Sequence, residues 1–156
     1  MSSLNRRELL GAAALAACAC AGCPLAGLSA AEPQASGTMD AGPVRRFGRD
    51  GVWADRAEPN AGGFIVVRQG GRLYAVTSTC SHKQFTLAVK DGQIVCPKHG
   101  SRFSNEGVPT KAPARKPLVR FGVSVNGDGR LIVDRSKRFD KGDWDRPGSY
   151  VELARE

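Results

Sequence analysis

Apolar and polar residues alternate with a period of two along much of the chain, and that period belongs to half-buried strands. Val119, Phe121, Val123 and Val125 recur at every second position, then Asn126-Gly127-Asp128-Gly129 turns the chain into Leu131-Ile132-Val133. One face of this hairpin is therefore expected to be buried. Gly63 to Gln69 and Arg72 to Thr77 form an earlier pair of strand-like runs, joined at Gly70-Gly71, where glycine accepts the positive φ of a tight turn. Phe85 to Val89 and Gln93 to Val95 flank Lys90-Asp91-Gly92, again a hairpin signal, and the second arm leads into Cys96. That places Cys80 and Cys96 where they can face each other. Val108 to Pro117 carries three prolines and is expected as a stiff loop, neither helix nor central strand. Beyond Arg135, Phe139, Trp144 and Tyr150 stand among charges, glycine and proline, and are expected to wrap a tail, 136–156, over the domain. With 19 glycines and 9 prolines, the pattern points to an all-β, loop-rich domain.

The N-terminal stretch has no such period. Asn5-Arg6-Arg7-Glu8-Leu9-Leu10 leads into a nearly uncharged Ala, Leu and Cys run, so residues 1–31 read as a targeting segment. A twin-arginine pair before a moderately apolar run resembles the Tat signal, which exports folded proteins, often around a cofactor; an ordinary secretory signal is the competing reading. Three fates stay open for it. Ser29-Ala30-Ala31 offers a cleavage site, Leu15-Ala16-Ala17-Cys18 and Ala21-Gly22-Cys23 resemble lipoprotein sites, and Leu9 to Leu28 approaches the length of a membrane anchor. Either attachment would associate the N-terminus with a membrane. Residues 32–43, rich in Pro, Gln, Ser, Gly and Asp, are expected as a flexible tether, with the folded domain spanning 44–135. The expected location is outside the cytoplasm, in the periplasm or on the outer face of the cytoplasmic membrane.

The net charge of +8 survives removal of the signal, whose two arginines and one glutamate contribute one unit. The cations are scattered through strands and turns without a recognition motif, so nucleic-acid binding is not expected. An acidic protein or an anionic membrane surface suits an exported basic domain better.

The candidate chemistry rests on scarcity. Outside the signal there are two cysteines and two histidines, gathered as Cys80-Ser81-His82 and Cys96-Pro97-Lys98-His99 with thirteen residues between the clusters. Each loop supplies one thiolate and one imidazole. Zinc accepts two Cys and two His, but its sites usually pair like ligands within a loop. A Cys80–Cys96 disulfide suits an oxidising compartment but leaves the histidines to chance. A binuclear iron centre, with sulfurs on one iron and nitrogens on the other, uses all four.

C-S-H followed by C-P-K-H-G-S resembles the motif of Rieske iron-sulfur proteins, C-x-H and C-x-x-H, and the likeness extends to Phe103, Gly107, Pro113-Ala114 and Pro117-Leu118 over roughly Gly63 to Val133. The resemblance implies a small antiparallel β-sandwich bearing a cluster-binding subdomain of two ligand loops and a proline loop. It implies one [2Fe-2S] cluster, with Cys80 and Cys96 on the inner iron and His82 and His99 on the outer iron near the surface. By the same resemblance Gly100 lets the backbone come close, Ser101 offers a hydroxyl to a bridging sulfide, and Phe103 replaces a tyrosine. Respiratory members carry an extra cysteine in each loop; residues such as Gln84 and Lys98 stand there here, so no loop disulfide forms. An intermediate potential is expected within the family range of about −150 to +300 mV. Lys83 and Lys98 beside the ligands either favour the reduced state or form a solvated rim.

Substrate oxygenation within the chain is excluded, because a mononuclear iron site needs two more histidines. The expected role is one-electron transfer, without catalysis by the chain alone, to a periplasmic or membrane-bound redox protein. Candidates are a cytochrome c, a quinol-oxidising cytochrome bc-type complex, or a molybdoenzyme such as arsenite oxidase, whose small subunit this chain resembles.

Overall fold

A computed structural model describes residues 37–56 and 63–153. The expected signal, the cysteines within it and the first part of the tether lie outside the described residues. Eleven strands and two short 3-10 turns make up the regular structure among them, so the fold is all-β.

Seven strands form a large antiparallel sheet. They are β1 (Thr38–Pro43), β2 (Gly51–Arg56), β3 (Phe64–Gln69), β4 (Arg72–Thr77), β9 (Arg120–Val125), β10 (Arg130–Phe139) and β11 (Val151–Glu152). Their order is β1-β10-β9-β4-β3-β2, with β11 pairing a second stretch of β4. The other four, β5 (Ala88–Lys90), β6 (Gln93–Val95), β7 (Arg102–Phe103) and β8 (Pro109–Lys111), pair in sequence order as a small sheet.

Strand β3 explains how the sheets share a core. Phe64, Ile65, Val66 and Val67 are all buried, a continuous apolar run that fits a strand covered on both faces. Phe64 and Val66 join Leu73, Ala75, Phe121, Val123, Leu131 and Val133 in one apolar group. Ile65 and Val67 join Tyr74, Val76, Leu87, Ile94, Phe103, Leu118 and both cysteines in another. Each fully buried side chain of this kind contributes about 1.5–3 kcal/mol. The second group lies under the small sheet, so the cysteines rest on the outer face of β3 and β4.

The turns follow the sequence. Gly70 and Gly71 take φ of 61° and 84°, and Asp91 and Gly92 take 51° and 73°, both pairs suited to two-residue hairpins. The proline-bearing segment contributes only β8, an edge strand of the small sheet, where a missing N–H costs least.

Three expectations need correction. Residues 38–43 are not tether but strand β1, which pairs with β10 along Thr38–Pro43. Its Asp, Gly and Pro disguise it because it is an edge strand, and a register shift between Asp40 and Gly42 breaks its period. The domain also continues past residue 135. β10 runs to Phe139 after a shift between Asp134 and Arg138, and β11 pairs with β4. The segment beyond β10 packs on the sheet. Trp144 is buried, the Ser149 hydroxyl donates to the Trp144 carbonyl, and the Arg120 guanidinium lies between the rings of Tyr74 and Trp144, 3.8 and 4.3 Å from their centroids. Finally, the buried stripe of β9 stops at Val123, since Val125 at the turn is exposed.

Candidate metal centre

Strand β4 leads into the first loop. Leu87 N–H donates to the Ser78 carbonyl at 2.7 Å, Thr79 bridges Thr86, and Cys80 N–H donates to the Phe85 carbonyl at 2.8 Å. The loop is thereby narrowed until Ser81 to Gln84 form its tip. Strand β6 leads into the second loop, where Cys96 N–H donates to the Ser101 carbonyl at 2.8 Å and Gly100 N–H to the Cys96 carbonyl at 2.9 Å. Gly100 has φ of 74° and no protein atom within 4 Å of where a Cβ would stand, so it is needed here for its backbone conformation.

The third loop, 111–118, is fastened to both others by serines. Ser81 donates its hydroxyl to the Lys116 carbonyl at 2.6 Å, and Ser101 Oγ accepts the Ala114 N–H at 3.0 Å. Behind it Gly107, at φ 97°, lets Leu118 come close: a Cβ there would sit 3.2 Å from Leu118 Cβ. Leu118 N–H donates to the Gly107 carbonyl at 2.8 Å.

The four expected donors meet as two pairs, thiol with thiol and ring with ring. Cys80 and Cys96 are buried, unoxidised and close enough for their thiols to interact. Burial pushes the Cys80 thiol up, and the neighbouring Cys96 adds to this, while the amides of His82 and Lys83 aimed at its sulfur pull the other way. The His82 and His99 rings stand 5.1 Å apart at 87°. Each Nδ1 is buried without a hydrogen-bond partner. Desolvation, followed by the charges of His82, Lys83 and Lys98, lowers the His99 pKa and favours the neutral imidazole.

Two buried thiols side by side, and two buried imidazole nitrogens with nothing to bond, are an incomplete donor set. A single zinc ion takes all its donors around one point. Sulfur instead pairs with sulfur and nitrogen with nitrogen, which fits a two-iron group.

The sequence profile of the Rieske [2Fe-2S] domain matches residues 35–122. Ferredoxin CarAc of Metapseudomonas resinovorans is 34% identical over 108 residues, covering 67% of this chain and 92% of that protein. The cytochrome b6-f complex iron-sulfur subunit of Chlorobaculum tepidum is 32% identical over 71 residues, 44% of this chain and 39% of the relative. A solved complex of reduced oxygenase and oxidized ferredoxin in carbazole 1,9a-dioxygenase contains a chain of the same fold, with TM-score 0.50 and 24% identity, covering 67% of this chain and 98% of that one. The chain belongs to the Rieske family, whose domain binds one [2Fe-2S] cluster, and its general activity is electron transfer of the Rieske type.

Two contributors escaped the sequence reading. Ser81, the variable residue of the C-x-H motif, holds the proline loop. Phe85, expected to open a strand, is instead exposed in the first loop with its ring 5.2 Å from that of His99. Its neighbours Lys83 and Gln84 already marked the segment as solvent-facing.

Proposed function

We propose that this chain is an exported one-electron carrier in which Cys80 and Cys96 hold one iron, and His82 and His99, through Nδ1, the other iron, of a single [2Fe-2S] cluster. The observation carrying this assignment is the pair of buried, unpartnered Nδ1 atoms beside two adjacent buried thiols. When bound, the group accepts and returns one electron. The cysteines anchor it on the outer face of β3 and β4, and the imidazoles, only half-buried, form the path to the surface. Ser101 Oγ already accepts from Ala114, which would leave its own hydrogen to donate to a sulfur of the group. Phe103 offers no second hydroxyl, which keeps the potential below that of quinol-oxidising subunits.

The partner is a periplasmic or membrane-bound redox protein. Coverage of almost the whole of a ferredoxin favours a separate carrier over a subunit of a cytochrome bc-type complex or of a molybdoenzyme. Export rests on the Arg6-Arg7 signal pattern. Visible absorption, electron paramagnetic resonance and metal analysis test the ligand assignment. A red-brown protein with two irons and a signal that appears on dithionite reduction is expected, and His99→Ala should abolish or alter that signal. A colourless, zinc-containing protein, or an unchanged signal in His99→Ala, would overturn it.

A further inference from the structure

The three loops around the histidines carry one sign of charge. Segments 79–87, 96–102 and 111–118 contain Lys83, Lys98, Arg102, Lys111, Arg115 and Lys116, and no Asp or Glu. All six are exposed. Several described cations elsewhere pair with carboxylates: Arg72 with Asp145, Arg130 with Asp40, Lys137 with Asp134 and Arg146 with Asp143. None of the six forms such a pair.

Apolar surface is placed as selectively. Phe85 and Val125 are the exposed large hydrophobic residues among those described, and Phe85 stacks edge-on with His99 while Lys98 Nζ lies 5.8 Å from its ring centre. Beside the other histidine, Ser81, His82, Pro113, Arg115 and Lys116 line a shallow groove of about 360 Å³. Like charges in the loops around the two histidines repel one another, and an opposite surface relieves that repulsion.

Resting on the carrier function proposed above, we infer that this tip docks an acidic redox protein, whose carboxylates enter the groove between Arg115 and Lys116 beside His82 while an apolar patch covers Phe85 beside His99. Opposite charge steers the encounter, and the Phe85 contact, dry and central, holds it. One electron then leaves through an imidazole and reduces the partner's oxidised centre by one. No bond breaks and no proton moves.

The test follows oxidation of the reduced holoprotein in a stopped-flow instrument by two purified probes, an acidic blue-copper protein and a basic c-type cytochrome. Reaction with the acidic probe should be faster and should slow about tenfold between low and high salt. Arg115→Glu/Lys116→Glu should slow it about tenfold and accelerate the basic probe. Arg45→Glu/Arg49→Glu, with the same net charge but placed beside the other core group, should change either rate less than about twofold. Phe85→Ser should weaken the reaction even at high salt. Equal effects of the two double variants, or preference for the basic probe, would overturn the inference. So would tip-dependent binding to phosphatidylglycerol vesicles without preference for the acidic protein, which would make the face a membrane contact. The spectrum and potential separate the two proposals: an unaltered centre with no tip dependence removes the docking face alone, and a chain without the iron-sulfur signal removes the carrier function. Calorimetric affinity for the acidic probe tests the face without requiring electron transfer.

Discussion

The two sheets are built by different rules. The large one uses strands of six to ten residues, apart from the two-residue β11, and has an apolar group of its own. The small one has strands of two or three residues, and its apolar group is completed by Cys80 and Cys96. Strands so short cannot hold one another by ladder hydrogen bonds alone. The large sheet is the platform on which the small one packs. The small sheet is fastened by the loops around it, and the cluster proposed between those loops would tie it further.

Removal of the centre should break this comparison open most widely. Cys96→Ser, or chelation of iron from the native protein, is expected to raise amide exchange across 88–111 by about a hundredfold while β3, β4, β9 and β10 stay protected. Uniform loss of protection would show that the platform depends on the centre as well. Leu131→Ala attacks the other side. Leu131 is fully buried in the large sheet's group, so denaturant unfolding should show a loss of about 2–5 kcal/mol while the folded fraction keeps its visible spectrum. The finest contrast lies within the small sheet. Ser101→Ala should lower the potential by about 40 mV, equivalent to about 1 kcal/mol for one electron, and Phe103→Tyr should raise it by a similar or smaller amount. Redox titration reads both, and a shift of the opposite sign in either would remove the hydroxyls from the tuning of the site.

The same division governs what could be read from the chain. The β3–β4 hairpin, its Gly70-Gly71 turn and β6 lie where propensity and period indicate, because both faces of the first pair and one face of β6 are buried. The four candidate donors stood out because Cys and His are scarce and their spacing is specific. β7 and β8 were hidden, since two or three residues cannot display a period. β1 was hidden by its turn-like composition. The stacking of Arg120 between Tyr74 and Trp144 had no local signal at all, because its partners lie 46 and 24 residues away in the sequence. The serine fastenings of the proline loop were hidden for the same reason.

Strand β1 has a practical side. It covers the outer hydrogen-bonding edge of β10 from Arg130 to Asp134, and its Ala41 and Met39 close the apolar group beside Leu131 and Val133. A shortened chain starting at Val44 would uncover that edge as an open template for strand addition, so molecules of it would be prone to pair with each other and precipitate. Retaining the residues from Gly37 onward keeps the edge sealed.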